Sequence, residues 1–122
     1  MNNTLPLAAE QEDADAQTHL GVMYELGQGV PQDHQTAVKW QTHAAQQGNA
    51  IAQNNLGFAL TLGRYIIQYN VYAHMWFNIA QSNGNKKAVA NRDSVAERMT
   101  SIDIYKAQDL AREWVGKKYE DC

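Results

Sequence analysis

The chain has 122 residues, 44% hydrophobic and 19% charged, with a formal net charge of −3 and a pI of about 5.7. That balance allows one packed core and excludes disorder, and Lys and Arg form no stripe that would give nucleic acid an electrostatic footprint. No run of about 18 apolar residues is present to span a membrane, and the opening Met1-Asn2-Asn3-Thr4-Leu5-Pro6 lacks the basic and apolar regions of a signal peptide.

Two prolines and no long β-branched run favour helix throughout. Leu20-Gly21, Ala37, Trp40, Ala44 and Gly48 recur as Leu56-Gly57, Ala73, Trp76, Ala80 and Gly84, each shifted by 36 positions. A fixed period of this size marks a stacked array. The units in chain order are 1–12, 13–48, 49–84 and 85–118.

Residues 1–12 read as the remnant of a preceding unit. Ala8-Ala9 stand 36 positions before Ala44-Ala45, with Thr4 at the place of Trp40. The inner face of the first full unit is therefore expected to be incompletely covered, so that the chain self-associates there or continues a longer array. In the unit 13–48, Ala16, Leu20, Met23 and Tyr24 fall on one helical face. Gly21 is placed for close approach of a second helix. Gly27 or Gly29 can take a left-handed end position, and Asp33 can cap the next helix. That helix carries Ala37, Trp40 and Ala44 on one stripe, which reads as an indole wedged between close helices.

The unit 49–84 departs in its loop, where Tyr65 replaces the second Gly and Tyr69 replaces the capping Asp. Its second helix is more apolar, with Met75, Phe77 and Ile79 in place of Lys39, Gln41 and His43, so more of its circumference should be covered by the segment C-terminal to it. The last unit is irregular. Arg92-Asp93 stands where Leu-Gly is expected, in a helix spanning Ala88–Met99, and Thr100 or Ser101 caps a final helix with Ile104, Ala107, Leu110, Ala111 and Trp114 inward.

The spaced set Ala16, Leu20-Gly21, Tyr24, Gly27, Gly29-Val30, Asp33, Ala37, Trp40, Ala44-Ala45 and Gly48 resembles the Sel1-like repeat, a relative of the tetratricopeptide repeat. The Met-Thr…Ala-Gln-x-Leu-Ala-Arg-Glu-Trp tail looks like the ending of many bacterial members. The resemblance implies an all-α, right-handed superhelical solenoid of antiparallel helix pairs, and a role as a protein–protein interaction scaffold. By the same resemblance, first helices line a concave groove for a peptide or helix. Its candidate contacts are Thr18, Val22 and Glu25 in the first unit and Asn54, Phe58 and Thr61 in the second, with Phe58 as anchor and Asn54 bonding to backbone. Val22, Ile51 and Phe58 could instead pack between neighbouring first helices. The Tyr65-Ile66-Ile67 loop is the other candidate surface.

No catalytic, metal or cofactor motif is present: His19, His34, His43 and His74 have no metal spacing and read as solvated. Two other functions stay open, a cell-wall-associated ligand-binding protein or enzyme and a structural segment of a longer array. The first is disfavoured because the relatives concerned carry paired cysteines, whereas this chain has only Cys122. A lone terminal cysteine slightly favours a reducing, cytoplasmic setting without deciding the compartment. If Trp40 is a buried wedge, Trp40→Ala should cost about 3–5 kcal/mol in a denaturation experiment.

Overall fold

Three residues spaced by one period each set a helix start. Asp13 Oδ1 accepts the Ala16 N–H at 3.0 Å, Asn49 Oδ1 the Ala52 N–H at 2.9 Å, and Asn85 Oδ1 the Ala88 N–H at 3.2 Å. Such side-chain acceptors satisfy N–H groups that a helix cannot pair internally. The computed structural model describes residue 9 and residues 13–63 and 69–120, with side chains as far as residue 117. Its six helices are α1 (Ala14–Leu26), α2 (His34–Gln46), α3 (Ala50–Leu62), α4 (Asn70–Ser82), α5 (Lys87–Ala96) and α6 (Ser101–Glu120). The other residues of the proposed 1–12 remnant lie outside the described set.

The loop from α1 to α2 is built as its residues dictate. Gly27 closes α1 with φ 69°, and Asp33 caps α2 by accepting the Thr36 N–H at 3.2 Å and its hydroxyl at 2.8 Å. These bonds hold the Asp33 carboxyl below its ordinary pKa. At the matching position Tyr69 makes no side-chain cap. Its backbone nevertheless repeats the closure: Tyr69 N–H donates to Leu60 O at 3.2 Å, as Asp33 N–H does to Tyr24 O at 3.0 Å. This closure is kept without the carboxylate because the main chain makes it.

Helix pairs are drawn close by glycine. A Cβ on Gly21 would lie 2.7 Å from Gln41 Nε2, and one on Gly57 2.5 Å from Phe77 Cε1, both closer than real contacts allow. Successive pairs are joined by a buried glutamine. Gln17 Nε2 donates to Ala9 O at 2.9 Å, and Gln53 Nε2 to Ala45 O at 3.0 Å. Each then accepts a side-chain amide from the end of its own pair, Gln17 Oε1 from Gln47 Nε2 and Gln53 Oε1 from Asn83 Nδ2. The result is an all-α solenoid of antiparallel helix pairs.

The more apolar α4 is covered on three sides, by α3, α5 and α6. Phe77 and Ile79 are each 1% exposed, in clusters with Val95 and with Leu56 and Ala111 respectively. The helix expected at Ala88–Met99 ends earlier, at Ala96. Arg92 ties it to α4 by donating to Asn78 Oδ1 at 3.3 Å and Gln81 Oε1 at 3.2 Å. Thr100 provides the cap of α6, its hydroxyl accepting the Asp103 N–H at 3.1 Å.

The two indoles differ. Trp76 is 8% exposed and meets Trp114 of α6 edge-on, with ring centroids 5.2 Å apart. Trp40 is only half-buried, against Ala16 and Leu20, with His43 tilted beside it. Trp40 is thus not the enclosed wedge expected, because no described helix covers it as α6 covers Trp76. The loss of about 3–5 kcal/mol belongs to Trp76→Ala, with a smaller loss for Trp40→Ala. Gln53→Leu, which strands the Ala45 carbonyl and the Asn83 amide, is expected to cost about 1–3 kcal/mol in urea unfolding.

Candidate functional site

Three of the residues singled out in sequence, Val22, Glu25 and Phe58, come together on one cleft of about 250 Å³. It opens between α1, α2 and α3, and Leu26, Val38, Gln41, Asn55, Ala59 and Leu62 complete most of its wall. The ends of α1 and α3 bring two leucines there that are well exposed, Leu26 at 59% and Leu62 at 55%. Phe58 is 42% exposed and its ring stands edge-on to the buried Phe77, with centroids 5.6 Å apart. One side of that ring is therefore fixed by the core while the rest faces the cleft. The half-exposed Glu25 is bonded through Oε2 to His34 Nδ1 at 3.0 Å, across the α1–α2 turn.

The walls of the cleft are not repeated one period on. Moving each wall residue by one period puts Phe77 in place of Gln41, His74 in place of Val38, and Val95 in place of Ala59. Phe77 and Val95 are packed in one cluster, so the place that Gln41 holds beside the open cleft is taken one period on by the packed ring of Phe77. Gln41 itself is 6% exposed, and its Oε1 is buried with no hydrogen-bond partner among the described residues.

Family comparison accounts for the period. A model of the Sel1 repeat matches residues 14–49 and 50–85, more than half of the chain. The chain belongs to the Sel1 repeat family. Among solved structures it is similar to c5321, a protective antigen present in uropathogenic Escherichia coli strains and displaying an SLR fold. The TM-score is 0.89 and the identity 31%, covering 93% of this chain and 24% of that one. It is also similar to a Sel1 repeat protein from Oxalobacter formigenes, with a TM-score of 0.70 and 34% identity over 72% of this chain and 36% of that one. The chain thus spans about a quarter to a third of the length of these two relatives. No curated protein matches it significantly.

Other candidates in this Sel1 repeat chain sit apart from the cleft. Thr18 is buried and its hydroxyl donates to Ala14 O at 2.8 Å. Asn54 is buried and accepts from Asn91 Nδ2 at 2.9 Å, which ties α3 to α5 rather than leaving the amide open to a ligand. Burial places both in the helix seams, because neighbouring repeats close over them. Thr61 is half-buried, its hydroxyl donating to Gly57 O at 2.9 Å, and does not line the cleft. Ile51 is 58% exposed, so it does not pack between first helices. Tyr65, Ile66 and Ile67 lie outside the described residues. Later in the sequence Tyr69 and Tyr72, both exposed, form a ring pair with centroids 4.7 Å apart. Leu26, Leu62 and Gln41 were missed in sequence. The repeat of Leu26 as Leu62 before a helix-ending glycine was the available signal for the leucines; for Gln41 it was the mismatch with Phe77.

The histidines do not share one environment. His19 and His43 are exposed, His34 is paired with Glu25, and no three His, Cys, Asp or Glu side chains gather among the described residues. His74, expected to be solvated, is instead 3% exposed because α5 packs over its face of α4, and its Nδ1 has no hydrogen-bond partner among the described residues. Burial pushes its pKa below the ordinary 6.5, the Arg92 guanidinium adds to that, and Asp93 opposes it.

A pKa lower in the folded chain than in the unfolded one means the unfolded state takes up the proton first on acidification. The stability present above about pH 6.5 is therefore lost as pH falls toward the depressed folded value, at up to about 1.4 kcal/mol per pH unit for one proton. His74→Val, which copies Val38, should flatten the fall in melting temperature between about pH 7 and pH 5 relative to the parent chain. An unchanged fall would assign that sensitivity to the carboxylates.

Proposed function

We propose that the chain is a non-enzymatic protein-interaction scaffold that binds a peptide segment or helix against the groove side of its first helices. The observation that carries this reading is the apolar cleft walled by Val22, Leu26, Phe58 and Leu62. Exposed apolar side chains gathered into one concavity are a mark of a docking surface. The family supports the same role, since solenoids act by presenting an extended face to a partner. Phe58 is suited to anchor, because its ring is already ordered against Phe77 and loses little freedom on binding. The Tyr65-Ile66-Ile67 segment is the other candidate on which a partner could dock.

Affinity capture from native lysate with the folded chain separates these. The partner is expected to be held by the parent chain and weakened at least about tenfold by Phe58→Ala and by Leu62→Ser, while Ile66→Ser retains it. Loss with Ile66→Ser alone moves recognition to the loop. A well-folded chain that holds no specific partner would overturn the scaffold reading in favour of a structural segment, and turnover of cell-wall material would replace it with an enzyme.

A further inference from the structure

The cleft between α1, α2 and α3 carries a chemical demand that its counterpart in the next pair does not. Gln41 is 6% exposed, lines the cleft, and holds a buried Oε1 with no partner among the described residues. A buried acceptor left unpaired is unfavourable, and a donor entering the cleft would relieve it. The terminal amide torsion of a glutamine is broad and roughly two-fold, so turning the amide over would exchange Oε1 for Nε2 and bring the acceptor to such a donor. Most of the remaining wall is aliphatic or aromatic, and no Lys or Arg lines it. Its volume of about 250 Å³ lies below the roughly 300–1,000 Å³ of sites for whole small molecules. It suits one large side chain.

The occupant should have a bulky apolar body, an N–H or O–H donor, and no acceptor of its own to leave unpaired. Leucine, methionine and phenylalanine bring no donor. Asparagine, glutamine and tyrosine bring an acceptor as well. Arginine and lysine are donors only, but would carry a full charge into apolar walls, where Glu25 at the margin is already bonded to His34. Indole is the side chain with one donor, no acceptor and a large apolar surface.

We propose that this cleft is a socket for one tryptophan side chain of a partner protein, with the indole N–H donated to Gln41 Oε1. The proposal rests on the scaffold reading and gives it a chemistry. The second pair explains why the socket exists once: Phe77 occupies the matching place, so the array already fills there what it leaves open beside Gln41.

The test titrates the methyl-labelled chain by NMR with N-acetyl-tryptophanamide, its 1-methylindole analogue, N-acetyl-phenylalaninamide and N-acetyl-argininamide. The tryptophan probe is expected to shift the methyls of Val22, Leu26, Val38 and Leu62 saturably, and the other three to bind about tenfold more weakly. Gln41→Phe, copying Phe77, should close the socket. Gln41→Met keeps the length without the acceptor and should make the tryptophan probe and its 1-methyl analogue equal; it carries the test alone if Gln41→Phe does not fold. Equal binding of the tryptophan, 1-methyl and phenylalanine probes to the parent chain overturns donor recognition but leaves an apolar docking face. Preference for the arginine probe overturns the indole assignment. Absence of cleft shifts with every probe overturns the socket itself, while capture with Phe58→Ala and Leu62→Ser decides the scaffold reading separately.

Discussion

The stacking of this chain turns on two buried glutamines. Gln17 and Gln53 are 2% and 0% exposed, and each reaches back to a carbonyl of the preceding segment while accepting an amide from the end of its own pair. A buried amide with these bonds is stable at one relative placement of three helical segments and costly at any other. Alanine-rich contacts such as Ala44, Ala45 and Ala52, all fully buried, are smooth and would tolerate sliding. The glutamine clip removes that freedom and sets the register. The groove side of α1 and α3, and the cleft between them, inherit their geometry from it.

On this frame the repeats diverge where one side chain changes. Gly21 and Gly57 both let the second helix of their pair approach, but Gln41 meets the first and Phe77 the second. The ring fills its pocket, carries Phe58 edge-on, and joins Val95 in a closed cluster. The amide leaves a cleft and an acceptor unpaired among the described residues. A similar substitution places His74 where the first pair has Val38, so that an imidazole is buried and its charged form disfavoured. A repeat array thus acquires a specific face through substitutions that leave the helix ends untouched.

The candidate site was only partly legible beforehand. Val22, Glu25 and Phe58 were placed from helical phase, and they do share a cleft. Thr18 and Asn54 have the same phase but are buried, because phase assigns a direction from one helix axis and not what the next helix covers. Asn54 is held by Asn91, thirty-seven residues on, and nothing local to α3 announces that bond. His74 misled for the same reason: a polar residue on a helix looks solvated until the packing of α5 is known.

What the sequence by itself determined is the architecture. The 36-residue period, the cap Asp33, the left-handed Gly27 and the close-approach Gly21, repeated as Gly57, are local or repeating signals, so a linear reading reaches them. The tertiary structure decided which faces are closed. Trp76 is buried and Trp40 only half-buried although their repeat positions match, because α6 lies over one and no described helix lies over the other. The cleft, the unpaired Gln41 carbonyl and the buried His74 are properties of the space between three helices. That space is set by side-chain volumes distant in sequence, which no single helix encodes.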